Sequence, residues 1–278
     1  MRKKYCLAQS APQVGQEPIP PMLPEPVRKS RKKLYVLIGV VAIAAVLLAV
    51  VFMLSVPQGL GETVPFGYNY TVGERLTYSI SITMDAGGQH VVETGSMNMR
   101  IVSFDGENYT IDEAVHYDVQ GLSQDYSFTL IVNKAGQLVG YSNLPSNLQS
   151  TYSMIQGTTG VGMALNRTEV RVGENVQIPL NMANSSLTLS GTANYKVGNI
   201  ENVTVQAGTY KTFKIELSTS DFHISNQGVY MSSSITGQLH MEYGTCHVVD
   251  LSMQETATGA GTTVSLTINM TLTGDTEG

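Results

Sequence analysis

The stretch ERLTYSISITM, Glu74–Met84, decides the fold class. Leu76, Tyr78, Ile80, Ile82 and Met84 alternate there with Arg75, Thr77, Ser79, Ser81 and Thr83. A period of two puts the first set on one face of an extended chain and the second on the other. That is the pattern of a strand half-buried in an antiparallel sheet. DAGGQ then turns the chain and SMNMRIVSF returns it. DGEN supplies the next turn, since Asp-Gly tolerates the positive φ of a tight hairpin. YTIDEAVHYDV and YSFTLIVN continue the meander, KAG turns again, and QLVGY closes it.

Further on, NVQIPL, SLTLSGTANYKV, VTVQAGTYKTFKIEL, SSSITGQLHMEY, CHVVDLSMQ and TVSLTINMTLT carry the same signal. Strands this frequent, separated by turn residues, predict an all-β sheet or barrel-like architecture. Between the two series, Pro145–Leu165 lacks clean alternation; Pro145 followed by Leu148, Tyr152 and Ile155 suits one short helical segment. An internal echo links the series. TVGERLTYSI at Thr71 and RVGENVQIPL at Arg171 share Val-Gly-Glu ahead of a strand-like run, as two similar half-sheets within one domain would.

The chain has 278 residues, and its charge is divided along its length. The first 33 residues hold eight basic and two acidic side chains, a net +6; the remainder holds eight basic and 20 acidic, a net −12. An acidic outer part repels phosphate backbones, so no nucleic-acid partner is expected. Between the halves, LYVLIGVVAIAAVLLAVVFMLSV, Leu34–Val56, carries no charge. At about 1.5 Å per residue this run is long enough to cross a hydrocarbon layer of roughly 30 Å. It is longer than a signal-peptide core and follows a long leader, so it reads as an uncleaved signal anchor. RKSRKK directly before it, with no basic residue in PQGLGETVPFG after it, places the N-terminus in the cytoplasm.

The expected organisation is a disordered, Pro-rich basic tail over 1–33, a transmembrane helix over 34–56 and a linker over 57–70. An extracytoplasmic β domain follows over 71–273, and a disordered end over 274–278. The expected location is the cell membrane, with a single pass. The basic cluster before the span can rest on anionic headgroups. Cys6 and Cys246 fall on opposite sides of the membrane and cannot pair with each other. Six sequons lie beyond the span and none before it, at Asn69, Asn108, Asn166, Asn184, Asn202 and Asn269. Asn269 alternates with Ile268 and Met270 and so should face solvent.

Chemical motifs are absent: no His-Glu-x-x-His, no Gly-x-Ser-x-Gly and no phosphate-cradling glycine loop. His90, His116, His223, His240 and His247 are scattered. Pairing Tyr243 with Cys246 would set Glu242 opposite His247 and His240 opposite Val249, a pattern of surface electrostatics without a third metal ligand. Met97 and Met99 read as pliable filler for an apolar face. No catalytic residue, metal or cofactor is expected, and the chain does not read as an enzyme.

In VTVQAGTYKTFKIEL, Val203 and Val205 share one face and Phe213, Ile215 and Leu217 another, around a corner at Ala207-Gly208-Thr209. With Tyr210 and Lys214-Ile215-Glu216, and with Gly73-Glu74-Arg75-Leu76 and Tyr78, the chain resembles a family of envelope proteins of unknown function. The late hairpin GQLHMEYGTCHVVDLSMQ departs from that family's pattern, because Gly244 precedes Thr245 and Cys246-His247 intervene. The family looks related to the bacterial lipoprotein-localisation factors. The resemblance implies a curved antiparallel half-barrel around an apolar groove, closed by short helices, and carries over no catalytic residue. The groove would be formed by Leu76, Tyr78, Ile80, Ile82, Phe213, Ile215 and Leu217, with Leu148, Tyr152 and Ile155 as its lid.

Two functions compete: a membrane-tethered module binding a lipid or another apolar ligand, and a structural envelope domain with a solid core and a glycosylated surface. The topology is open to a direct test. Protease added to right-side-out vesicles should cut only beyond Pro57; a protected outer domain would reverse the orientation.

Overall fold

The computed structural model describes residues 61–119, 122–144, 169–183, 187–226, 229–259 and 261–276. These form thirteen strands: β1 (Thr63–Pro65), β2 (Arg75–Ala86), β3 (Gln89–Phe104), β4 (Asn108–Val119), β5 (Leu122–Asn133), β6 (Leu138–Ser142), β7 (Glu169–Arg171), β8 (Asn175–Ala183), β9 (Leu187–Val205), β10 (Gly208–Asn226), β11 (Val229–Glu242), β12 (Val248–Gly259) and β13 (Thr262–Thr276). Eleven of them make one antiparallel sheet in the order β6-β5-β4-β3-β2-β13-β12-β11-β10-β9-β8, while β1 pairs with β7. No described residue is helical. The expected short helix and the lid residues Leu148, Tyr152 and Ile155 lie outside the described residues, as do the basic tail and Leu34–Val56. Among the described residues no helix is long and apolar enough to cross a membrane, which says nothing of strands.

Several sequence expectations are corrected. Part of the expected linker is built into the fold, because Thr63–Pro65 finds strand partners in Glu169–Arg171. The expected disordered end still pairs, with β13 reaching Thr276 opposite Arg75. SLTLSGTANYKV and VTV are one strand, β9, which runs straight through Gly198–Asn202. A register shift there absorbs the polar run that reads as a turn in sequence. The corner itself is Gln206–Ala207, and Gly208 already pairs with Val205 as the first residue of β10.

The echo at Thr71 and Arg171 is a repeated structural device. Glu74 and Glu174 are both buried, and each carboxylate accepts a 2.9 Å bond from the backbone N–H three residues earlier, Thr71 or Arg171. Each glutamate also bonds the strand after its own: Ile101 N–H donates to Glu74 O, and Val197 N–H to Glu174 O. Gly73 and Gly173 precede them at φ +98° and +84° and donate to Ile101 O and Val197 O. Just past the anchored residue the return strand carries a bulge in both copies, between Ile101 and Ser103 and between Val197 and Ile200. Within the sheet, β6-β5-β4-β3-β2 and β12-β11-β10-β9-β8 run in the same sense, with β13 between them. The second half therefore repeats the first by rotation about the axis of the curve.

Register carries one apolar face across all eleven strands. Directly opposed residues point the same way, so Phe128, Val115, Met97, Tyr78, Leu272, Leu239, Ile215, Val197 and Val176 share a side. The opposite side is built of hydroxyl, amide and charged groups such as Ser79, Thr271, Asn98 and Lys196. A single layer this wide must curl to cover its apolar face. In the second half it does so on itself: β9 comes within 8 Å of β12 and β13 across the interior, although two or three strands separate them in the sheet. The core there is dense, with Phe213, Phe222, Ile224, Ile235, Met241 and Ala257 fully covered. A depression among Tyr195, Ile215, Leu217, Leu239 and Met253 holds about 10 Å³, room for one water.

One acid is buried in this second core. Glu255 faces Leu266 and Ile235. Ser233 Oγ donates to its Oε1 at 2.6 Å, while Oε2 has no hydrogen-bond partner. Loss of water pushes this carboxyl up to about 7, against a weaker downward pull from Ser233. The neutral acid is thus the form that suits the fold.

Two outcomes are expected. At Gly173 a Cβ would meet open space, so Gly173→Ala isolates the cost of the left-handed backbone: about 1–2 kcal/mol in thermal or chemical unfolding. An unchanged unfolding midpoint would remove the strain from this lead-in. For Glu255, the unfolded chain releases its proton near the ordinary value while the folded chain holds it to about 7. The contribution to stability is therefore full below pH 4.5 and lost as pH rises to 7, on the order of 3 kcal/mol at most. Glu255→Gln should flatten that fall; an unaltered stability–pH profile would contradict a neutral buried acid.

Candidate apolar concavity

The first half of the sheet covers its apolar face differently. After β1, the chain Phe66–Tyr70 runs across one rim of the curve as a strap. Phe66 packs edge-on against Phe213, with ring centroids 6.4 Å apart. Gly67 N–H donates to Cys246 Sγ at 3.3 Å, Tyr68 N–H to Lys134 O at 2.8 Å and Asn69 N–H to Thr245 O at 3.2 Å. The strap thus ties the β5–β6 turn to the β11–β12 turn. Tyr68 belongs to the apolar clusters of both halves, and Tyr70 stacks between Tyr68 at 4.8 Å and the His247 ring at 4.9 Å. Cys246 is buried at φ +60°, and burial lifts its thiol to about 11, so it is an inert hydrogen-bonding group of the rim.

Charge is buried beneath the strap. His247 Nε2 lies 3.4 Å from Glu74 Oε1 and its Nδ1 3.3 Å from Glu242 Oε2. These are ion-pair distances, although neither ring nitrogen is aligned for a hydrogen bond. Desolvation raises the Glu74 carboxyl above its ordinary value, partly offset by Thr71 N–H and His247. His247 holds Glu242 below its own, and Thr245 Oγ1 also donates to Glu242. The expected opposition of Glu242 and His247 holds: Glu242 N–H donates to His247 O. The expected surface location does not hold for His247, which is buried against Tyr70, while Glu242 is half-buried. A bulge past Met241 also sets His240 opposite Asp250 instead of Val249. His240 faces outward, between Glu201 at 3.1 Å and Asp250 at 3.7 Å. No group of described residues could hold a metal ion.

Inside the first half, Ile101, Tyr109, Ile111, Phe128 and Leu130 are buried. Met97, Met99, Tyr117 and Tyr126 on the same face are half-buried. Glu113 stands among them, opposite Met99 on β3 and Phe128 on β5. It keeps partial accessibility, yet desolvation alone lifts its carboxyl to about 7. Glu93, opposite Ile82, is raised for the same reason.

The residues expected to line a groove fall into two regions. Phe213, Ile215 and Leu217 are buried in the dense second core, which Ile82 packs against while half-buried. Leu76 and Tyr78 are buried with Leu272 in a smaller cluster at the junction of the halves, and Ile80 is buried on the same strand. The half-buried part of the apolar face, with Glu113 on it, is centred on β3–β5. Alternation in YTIDEAVHYDV could have found it, since Glu113 takes a place among Ile111, Val115 and Tyr117 that the pattern reserves for apolar side chains. Asn69, Asn202 and Asn269 are exposed, whereas Asn108 is half-buried and its side-chain amide donates to Asp105 at 3.2 Å. Asn166 and Asn184 lie outside the described residues.

No protein-family model matches the chain, and no curated protein sequence does. Among solved structures it is similar to an exported protein with a YmcC-like fold from Bacteroides fragilis, at 9% identity, a TM-score of 0.34, and 76% of this chain and 99% of that one covered. It is similar at 12% identity and a TM-score of 0.34 to a lipoprotein from Parabacteroides distasonis, over 77% of this chain and 100% of that one. Lipovitellin, from a structure describing lipid–protein interactions, is similar at 8% identity and a TM-score of 0.43, over 75% of this chain and 26% of its own.

Proposed function

We propose that this protein is a non-enzymatic binding module of the cell envelope, which holds an apolar ligand in the concavity of the β3–β5 half. The observation that carries this reading is the contrast between the two halves of one apolar face. The second half is filled by its own side chains, whereas the first keeps Met97, Met99, Tyr117 and Tyr126 half-accessible on the inner side. Such side chains offer the adaptable, unspecific contact that suits an acyl chain or a similar ligand. An outer location follows from the uncharged Leu34–Val56 and the basic residues before it, and the exposed Asn69, Asn202 and Asn269 are its glycan acceptors. The structural alternative draws on the dense second core and the strap, which would serve a rigid envelope element equally well.

The soluble part, residues 57–278, separates the two when purified without detergent. Its organic extract should contain a single-chain or two-chain lipid, and the stripped protein should take up a fluorescent fatty alcohol. An empty extract together with no uptake would leave the structural reading.

A further inference from the structure

We propose that the domain rests on the bilayer that anchors it, through an exposed aliphatic patch of Val72, Val102, Ile131 and Val139 at the strap end of the sheet. The proposal rests on the envelope reading above, in which Leu34–Val56 is the anchor, and adds a surface that the apolar ligand does not use.

The patch is built by register. Seven large apolar side chains are exposed among the described residues, and these four, 37 to 53% exposed, gather at one corner. Ile131 lies opposite Thr110 on β4 and Gly140 on β6, and Thr110 lies opposite Ser103 on β3. A bulge at each flank of that row lets two successive residues face outward, Val102 with Ser103 and Val139 with Gly140, while Phe104 and Tyr141 return to the inner cluster. Gly140 leaves space for the isoleucine, since a Cβ there would stand 3.5 Å from Ile131 Cδ1. Gly73 N–H donates to Ile101 O and so sets Val72 beside Val102. The other three, Val92, Leu122 and Tyr230, stand one to a hairpin at the opposite end of the strands.

The chain enters at the patch end. Val172 N–H donates to Glu62 O just ahead of β8. Six antiparallel steps separate β8 from β2, so the two strands start at the same end of the sheet. That end holds the strap, and with it the β3–β4 and β5–β6 turns that border the patch. Only residues 57–62 lie between Val56 and β1, a reach of about 20 Å when fully extended. An embedded Leu34–Val56 therefore keeps this end of the domain close to lipid. Four aliphatic side chains are a small contact for a free protein. The tether makes their contact with the bilayer intramolecular, where a modest gain from burial suffices. Charge around the patch is balanced, with Arg75, Arg100 and Lys134 exposed against Asp105, Glu107 and Asp112. The contact is thus apolar, and anionic lipid is not required for it.

The test uses the full chain in phosphatidylcholine vesicles that contain a phosphatidylcholine with a diazirine near the carboxyl end of one acyl chain. After photolysis the labelled residues are mapped by mass spectrometry, and label in Leu34–Val56 reports the anchor in the same molecules. Label at Val102, Ile131 and Val139 should exceed that at Leu122 and Tyr230 by about fivefold or more, and salt of about 1 M should leave the excess in place. Ile131→Ser together with Val139→Ser, both at exposed positions, should lower the label at Val102 and leave that in Leu34–Val56 unchanged. Equal label at the two ends of the domain, with the anchor labelled, would overturn the docking surface and leave the anchored module standing. Loss of the excess at high salt would overturn the apolar contact. No label in Leu34–Val56 would overturn the anchor and the docking with it. The comparison of the two ends needs no variant, so a failure of the substituted chain to fold would not rescue the proposal.

Discussion

An apolar sheet face has to be covered, and nearly everything in this molecule follows from how the described residues cover it. Eleven strands in one layer expose far more apolar surface than a loop can hide, and among the described residues the only other strands are the short pair β1 and β7, which add Val64 and Val170 to the second core. Curling is the remaining solution. The second half curls until β9 approaches β12 and β13, and its side chains fill the space between. The first half is shut at one rim by Phe66–Tyr70 and keeps partly accessible side chains inside. One pattern of alternation thus yields a filled core at one end of the sheet and a half-buried apolar face at the other.

The rim shows what this closure requires. A chain crossing strand ends must place its own backbone groups, and here Lys134 O, Thr245 O and Cys246 Sγ accept them. Crossing also buries His247 and Glu74 and half-buries Glu242, with the imidazole lying between the two carboxylates. Removing Glu74 or His247 would leave the other buried without its polar neighbour. The strap is therefore held by polar groups as much as by its aromatic rings.

Period-two alternation made most strands legible, because each has one wet and one dry face. The Val-Gly-Glu echo was equally legible, and the reason is now physical: both copies need a left-handed glycine and a carboxylate that reaches back to a backbone N–H. Other features left weaker traces. GNIEN reads as a turn, yet a bulge carries β9 through it, and bulges have no sharp composition signal. The strap is aperiodic, and its partners lie 66 to 179 residues away in sequence. The burial of His247 is invisible for the same reason. Glu113 stood in plain view, but an acid in an alternating strand looks like an error of pattern until its neighbours are seen to be enclosed.

The seam between the halves carries a consequence for how the chain reaches this state. Hairpins β2 to β6 and β8 to β12 can each form from nearby sequence, but β2 finds its second neighbour only in β13, nearly 190 residues later. Non-local pairing of this kind is slow, because loop closure must precede any reward from contact. While the chain is still emerging, β2 stands as an unpaired edge with Leu76, Tyr78 and Ile80 on its apolar side, open to any passing strand. Among the described strands β13 is the one that ends this exposure, and loss of Thr262–Thr276 would leave a molecule with two sticky halves instead of one shortened sheet.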